Sequence, residues 1–190
     1  MILASASPRR KELLVLAGFT PTIMPADIDE TPLPGERPTD LVLRLAINKA
    51  HACMDSCASH ANNEVILAAD TIVWHDDEVL GKPKDAEDAR RMLHILSGRT
   101  HHVSTGVCLI RFDIQTPHES AFVDTTKVRF RSLTDREIDQ YVATGEPLDK
   151  AGAYGIQGGA GAFVQSIEGD YSNVVGLPIA RVLKVLRNRI

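Results

Sequence analysis

Residues 1–14, MILASASPRRKELL, read as a short apolar strand (Ile2, Leu3, Ala4), a tight polar turn (Ser5, Ala6, Ser7, Pro8) and a helix that opens on two arginines. Ser7 suits the N-cap, and Pro8 suits the first helical position, where a missing N–H costs nothing. Arg9 and Arg10 then fall in the first turn. The positive end of the helix dipole disfavours a cation there by about 0.3–1 kcal/mol at an exposed site, and Asp or Glu is the ordinary choice. An anion removes the conflict. The unsatisfied N–H groups of the first turn and two guanidinium forks make a ready phosphate site. The alternative is a solvated arginine pair beside Lys11. The rest of the chain can be read as completing this anion-shaped corner.

The 190 residues suffice for one domain or two small lobes with a substantial core. Hydrophobic residues make up 44% and charged residues 24%, the balance of an ordinary soluble globular protein. A net charge of -4 gives no global field for nucleic acid, so basic residues can act only locally. A strand starting at residue 2 leaves no room for a signal peptide, and no apolar run approaches a membrane span. Three cysteines, with Cys53 and Cys57 one helical turn apart and Cys108 in a strand-like run, fit thiols in a reducing cytosol. The seven histidines are scattered and read as surface or core residues.

Working outward, the first helix runs to Gly18, and residues 20–24 can be extended. Residues 26–38 hold three prolines, a glycine and the acids Asp27, Asp29, Glu30 and Glu36, too many breakers for regular structure. Such a loop is commonly just solvated. Beside a cationic phosphate corner it could also hold a divalent cation, and Glu30 is the candidate ligand. A helix over 39–57 puts Leu41, Val42, Leu45, Ala46, Ala52 and Cys53 on one face. Lys49 stands in the middle of that stripe. It either snorkels to the surface or reaches an anion.

Residues 65–69 form a continuous apolar run, read as a strand covered on both faces, which ends on Asp70-Thr71. The chain resumes apolar at 72–74, turns at 75–77 and returns through Val79-Leu80 to Gly81-Lys82-Pro83. An aspartate wedged between apolar segments is costly to bury unless paired or ligating. Lys82 could lie near it. The other reading is an aspartate bonded to backbone amides. Residues 85–96 form an amphipathic helix with acids in its first turn, and strands follow over 101–110 and 121–131, joined by a turn through Thr116-Pro117-His118. In the second strand Val128 and Phe130 alternate with Lys127, Arg129 and Arg131, one packed face and one wet face. Thr134 and Glu137 make a capping box, stapled by Leu133 and Ile138, for a helix ending at Gly145. Residues 149–161, DKAGAYGIQGGAG, have the glycines for a close backbone approach to a ligand, and Gln157 offers a donor and an acceptor to a base edge. The stretch matches neither the Walker A nor the dinucleotide pattern. A strand over 163–167, a turn and a helix over 178–189 close the chain, with no repeat or domain boundary.

Three of these stretches in order, ASASPRRKELL, AADTIV followed by GKP, and DKAGAYGIQG, resemble the Maf family of nucleotide pyrophosphatases, also called septum formation inhibitors. The likeness spans nearly the whole chain. It implies a single Maf-like domain over residues 1–190 with an elongated α/β fold, in which a mixed sheet flanked by helices carries a deep cleft between two lobes. It also implies a cytoplasmic house-cleaning enzyme that cuts a nucleoside triphosphate to monophosphate and pyrophosphate with a divalent cation, Mg²⁺ or Mn²⁺. Homodimers are known in the family, and neither nucleic acid nor membrane is an expected partner.

Residue by residue, the resemblance implies that Asp70 is the catalytic proton acceptor and that Thr71, Arg9 and Gln157 select the substrate. The glutamine in its DKAGAYGIQ context looks like the branch acting on dTTP and UTP, with modified pyrimidine nucleotides as a further class. Ser7, Arg10, Lys49 and Lys82 match triphosphate-binding positions, and Glu30 matches an acidic position associated with the metal; whether Asp70 also ligates it is not legible. Ala69 departs from the glycine many relatives carry, adding a methyl group near the site. Two other readings are a nucleotide-binding regulator of septum formation and a 7-methyl-GTP pyrophosphatase. A nucleic-acid-binding protein is disfavoured by the acidic balance and the lack of stacking aromatics.

Overall fold

The computed structural model describes residues 1–57, 64–112 and 116–188. Most of the polar linker over 60–64, the start of the connection after residue 112 and the last residue of the expected closing helix lie outside them. Along the chain run β1 (Ile2–Leu3), α1 (Pro8–Leu16), β2 (Thr22–Ile23), α2 (Pro38–Ser56), β3 (Val65–His75), β4 (Glu78–Leu80), α3 (Ala86–Leu96), β5 (Thr100–Arg111), β6 (His118–Phe130), α4 (Asp135–Ala143), β7 (Val164–Glu168), α5 (Tyr171–Val175) and α6 (Ile179–Arg187). The strands form one seven-stranded mixed sheet in the order β2-β1-β3-β5-β6-β7, with β4 pairing β3. β1 is parallel to β2 and β3, whereas β3–β4 and β6–β7 are antiparallel. The α/β class with a mixed, helix-flanked sheet is therefore as the sequence implies.

Two compact units divide the chain. The first holds Met1–Asp70, Thr105–Asp124 and the chain from Gly176 on. Its strands bury alternate residues on opposite faces, as a covered sheet requires. Ile2, Ala4, Ile66, Ala68, Cys108 and Ile110 pack with Ala46, Ala50 and Cys53 of α2. Leu3, Val65, Leu67, Ala69, Val107 and Leu109 pack with Leu14 of α1 and Val182 of α6. The second unit, Thr71–Ser104 and Thr125–Val175, has one core, in which Met92, Leu93 and Leu96 of α3 and Ile138, Tyr141 and Val142 of α4 meet Val73, Val103, Val128 and Phe130 of the sheet. Lys127 and Arg129 alternate with Val128 and Phe130 and stay exposed, the wet face expected of that strand.

Several elements differ from the sequence reading. β3 does not stop at Asp70 but runs unbroken to His75, so the aspartate sits inside a strand. β6 starts at His118 rather than 121. The glycine-rich stretch contains three short 3-10 turns, Glu146–Asp149, Ala151–Ala153 and Gly159–Phe163. α5 adds a short helix between the turn after residue 167 and the closing helix, where the sequence predicts no element; its buried Asn173 donates from Nδ2 to the Val103 carbonyl and to Thr126 Oγ1, both at 3.0 Å. The capping box at Thr134 and Glu137 forms as read, and Arg131 followed by the Thr134 donors holds the Glu137 carboxyl down at about 2.

In the second unit His101 is fully buried, with Nε2 2.9 Å from the Tyr154 hydroxyl. Burial, then the fields of His75 and His102, push its pKa from 6.5 down to about 3. The folded protein keeps this imidazole neutral, while the unfolded chain takes up a proton below about pH 6.5. His101 therefore costs stability as pH falls from 6.5 toward 3, with a slope of up to about 1.4 kcal/mol per pH unit. Urea unfolding at several pH values should show His101→Gln flattening that slope; equal slopes in the two proteins would contradict the assignment.

Candidate functional site

The corner at the start of α1 forms as the sequence suggests. Ser7 is the N-cap, its Oγ accepting from the Arg10 N–H at 3.5 Å, and the first turn holds no acidic residue. The two arginines are not equivalent, however. Arg10 is half-buried and donates from Nη1 to Ser5 Oγ and from Nε to the Gly176 carbonyl, both at 2.9 Å. Burial lowers its pKa; the Asp70 carboxylate opposes that, the Arg9 charge adds to it, and Glu30 opposes it again. Arg10 is thus built into the wall of the corner, within the fields of both carboxylates. Arg9 has no carboxylate partner among the described residues, so its charge is the less committed of the two.

Of the two readings offered for Lys49, the structure takes the second, and the anion is the protein's own. Its Nζ lies 2.6 Å from Asp70 Oδ1 and 2.6 Å from Glu30 Oε1. The Lys49 and Asp70 side chains are only 12% and 13% exposed, against 60% for Glu30. Two sequestered charges tolerate that burial because each satisfies the other, and removing one strands its partner. Asp70 Oδ2 has no protein partner among the described residues. The neighbouring Ala69 has its methyl in the core with Leu67, Val107 and Leu177, on the face opposite Asp70. The departure from glycine therefore leaves the matched chemistry in place, as the sequence implies, with the methyl in the core rather than near the site.

The donor set is that of a hard cation: two carboxylates converging on one ammonium. Among the described residues no group of three or more His, Cys, Asp or Glu is arranged to hold a metal ion. Glu30 and Asp70 thus fit a cation that brings most of its ligands as phosphate and water oxygens, the usual habit of Mg²⁺. A groove of about 560 Å³ in the same unit, lined by Met1, Phe19, Val65, Arg111 and Leu186, lies at the amino ends of β1 and β3. Ser5, Ser7 and Asp70 follow the carboxyl ends of those paired segments, so the groove is not part of this site.

The second unit carries Thr71, Lys82 and Gln157. Thr71 is the next residue of β3 after Asp70. Lys82 is exposed just after β4, and the Gly81 carbonyl beside it accepts the Gly152 N–H at 3.1 Å, tying that turn to the glycine-rich segment. Gln157 is exposed in the loop over 154–158. Beneath it Tyr141 OH accepts the Gly155 N–H (3.3 Å) and donates to Glu146 Oε1 (3.0 Å), while Glu146 Oε2 accepts the Gly159 N–H (3.1 Å). Lys150 Nζ donates to the Glu146 carbonyl at 2.8 Å and to Asp149 Oδ1 at 2.7 Å. Burial first, then the Glu146 and Asp149 charges, raise the Tyr141 pKa against the Gly155 amide, so the phenol keeps its proton. Glu146 was not singled out from the sequence. Its signal was an acid between Gly145 and Pro147, just before the glycine-rich stretch.

Comparison with known proteins finds similarity over nearly the whole chain. Residues 1–189 match the family described as Maf-like protein. The chain is 56% identical over 187 residues to the dTTP/UTP pyrophosphatase of Anaeromyxobacter dehalogenans (strain 2CP-C), covering 98% of this chain and 92% of that protein. It is 53% identical to the dTTP/UTP pyrophosphatase of Citrifermentans bemidjiense, over 98% and 94% of the two lengths. With the dTTP/UTP pyrophosphatase of Bacillus cytotoxicus it shares 49% identity over 98% and 93%.

Proposed function

The chain belongs to the Maf family, and from that premise we propose that it is a nucleoside triphosphate pyrophosphatase converting dTTP and UTP to monophosphate and pyrophosphate, in a house-cleaning role. The observation that carries the reaction is the Lys49 ammonium held between Glu30 and Asp70 beside the α1 corner. The substrate class is supported by near-full-length relatives at 49–56% identity named for dTTP and UTP. A 7-methyl-GTP substrate, the other enzyme reading, has no support among these relatives. A pure binding regulator gains nothing from Asp70, an anion facing a polyanionic ligand, unless metal or water stands between.

The reaction needs a water aimed at the α-phosphorus, neutralisation of charge on the pyrophosphate leaving group, and a pocket for the base. Asp70 Oδ2 orients the water and accepts its proton as the new P–O bond forms, and the bond between the α-phosphorus and the bridging oxygen breaks. Lys49 holds Asp70 in place through the 2.6 Å contact to Oδ1. Ser7, Arg9 and Arg10 at the helix start, with Lys49 and Lys82, take the triphosphate; preorganised donors of this kind favour the charge of the transition state. Glu30 and Asp70 are the residues that would hold a divalent cation, Mg²⁺ or Mn²⁺, whose contribution is to polarise the phosphates. Thr71 and Arg9 assist substrate selection. The protein works on free nucleotides, without nucleic acid or membrane, in the cytoplasm, with a homodimer as the candidate assembly. Among the described residues no helix is long and apolar enough to cross a membrane.

Gln157 reads the imide edge of uracil or thymine, which offers acceptor, donor and acceptor. A site built on such bonds rejects the wrong edge because its own polar groups would be left unpaired. Gln157→Ala should reduce the preference for UTP over CTP and GTP by roughly tenfold or more, the worth of about 1–3 kcal/mol for paired bonds to a base edge. Steady-state kcat/KM for the three nucleotides checks this, and an unchanged preference would remove Gln157 from the recognition.

A further inference from the structure

The loop that carries Gln157 is held by a polar latch, and we infer that Glu146, acting through Tyr141, is the positioning residue that sets base discrimination. The inference rests on the reading of Gln157 as the base-selecting residue. Gln157 is exposed, and a long exposed side chain discriminates between base edges only if its backbone is fixed. The two halves of one carboxylate do the fixing. Oε2 takes the Gly159 N–H at 3.1 Å, and Oε1 takes the Tyr141 hydroxyl at 3.0 Å, which in turn takes the Gly155 N–H at 3.3 Å. Gly155 and Gly159 flank Gln157 by two residues on either side, so both ends of the recognition segment hang from one side chain. Tyr141 is 5% exposed and packs edge-on against Phe163 at 5.2 Å, and both residues belong to the core of the unit. The latch is therefore rooted in rigid structure rather than in another loop.

The loop is shaped around that carboxylate. A Cβ on Gly158 would collide with Glu146 Oε1 and lie 2.8 Å from Oε2, so glycine next to Gln157 leaves the space the carboxylate occupies. A Cβ on Gly155 would lie 2.6 Å from Lys150 Cε, and the Lys150 ammonium bonds the Glu146 carbonyl at 2.8 Å, which fixes the backbone of the acid as well. The chemistry also requires an acid. Glutamate accepts two hydrogen bonds without offering a proton, and the Tyr141 hydroxyl uses its single proton on Glu146 while accepting from Gly155. Glutamine can accept the Gly159 N–H and only donate toward the phenol oxygen, which leaves the Tyr141 proton without its acceptor and weakens that link; alanine loses both.

The test compares kcat and KM for UTP, CTP and GTP in wild type, Glu146→Ala, Glu146→Gln, Tyr141→Phe, Gln157→Ala and the Glu146→Ala/Gln157→Ala double variant, with amide hydrogen exchange of the loop. Glu146→Ala should reproduce the flattened preference of Gln157→Ala, raising KM for UTP by roughly tenfold, about what the loss of a charge-assisted hydrogen bond produces, with kcat little changed. Glu146→Gln and Tyr141→Phe should fall between it and wild type. The double variant should be no worse than either single, since the residues act as one unit. Exchange at the Gly155 and Gly159 amides should rise in Glu146→Ala. If Gln157→Ala flattens the preference while Glu146→Ala keeps it and lowers only thermal stability, Glu146 is structural and the inference is overturned. If Gln157→Ala itself leaves the preference intact, the base-reading role falls, and the positioning role falls with it.

Discussion

Asp70→Asn is expected to lower kcat for dTTP and UTP by about 10²–10⁴-fold, the range associated with a general base, while KM stays constant or falls. The substitution keeps the size of the side chain and removes its ability to take a proton. It also removes a negative charge from a site that must accept a polyanion, which offsets the weaker hold of the neutral amide oxygen on a divalent cation, so binding should not suffer. A group used only in the transition state shows itself by lowering kcat without raising KM. The Lys49 ammonium, held at 2.6 Å from Oδ1, keeps its second partner Glu30 at the same distance, so the variant should remain folded. Rapid-quench or steady-state assays of pyrophosphate release check the rate, and a thermal melt checks the fold. A kcat within a few-fold of wild type would remove Asp70 from the chemistry.

Gly106→Ala is expected to carry the largest cost to stability. Gly106 lies in β5 where α2 crosses it, and a Cβ there would collide with the Val42 carbonyl group and lie 2.8 Å from the Leu43 nitrogen. These are backbone atoms within a helix, so no rotamer change relieves the clash. Overpacking of this kind typically costs about 1–3 kcal/mol and occasionally more, and with only helix backbone to yield we expect about 3 kcal/mol or above. For a chain of this size that corresponds to a drop in Tm of roughly 6–12 °C. α2 also delivers Lys49, two turns after Val42, so turnover should fall as the helix is lifted from the sheet. Circular dichroism melts with parallel activity assays check both effects. A Tm within about 2 °C of wild type would mean that α2 does not rest on the β5 backbone.

What the sequence reveals and what it hides divide along the range of the interactions. The strand, turn and helix of residues 1–14 were legible because Ser7, Pro8 and the arginines state their roles within one turn. The capping box at Thr134 was legible for the same reason, as was the turn over 75–77, although His75 still belongs to β3 and only Asp76 and Asp77, both with positive φ, join it to β4. Asp70 looked like the end of a strand because an acid in an apolar run is costly, and its partner Lys49 lies 21 residues earlier. Lys49 looked ambiguous because periodicity reports which face a residue occupies, not what waits there. Arg9 and Arg10 read as a matched pair, yet the carbonyl that engages Arg10 belongs to Gly176, 166 residues away. Glu146 drew no reading from the sequence, since its partners Tyr141, Gly155 and Gly159 converge only in the fold. α5 went unread because five residues give no periodicity, and its anchor is the Asn173 amide bonded to two strands.

The central claim is tested most directly by measuring pyrophosphate release by the purified wild-type protein from dTTP, UTP, CTP, GTP and 7-methyl-GTP in the presence of Mg²⁺ or Mn²⁺. The account predicts equimolar monophosphate and pyrophosphate from dTTP and UTP, with little from the others. Release from 7-methyl-GTP in their place would contradict the substrate assignment, and tight nucleotide binding without release from any of the five would contradict the enzyme itself.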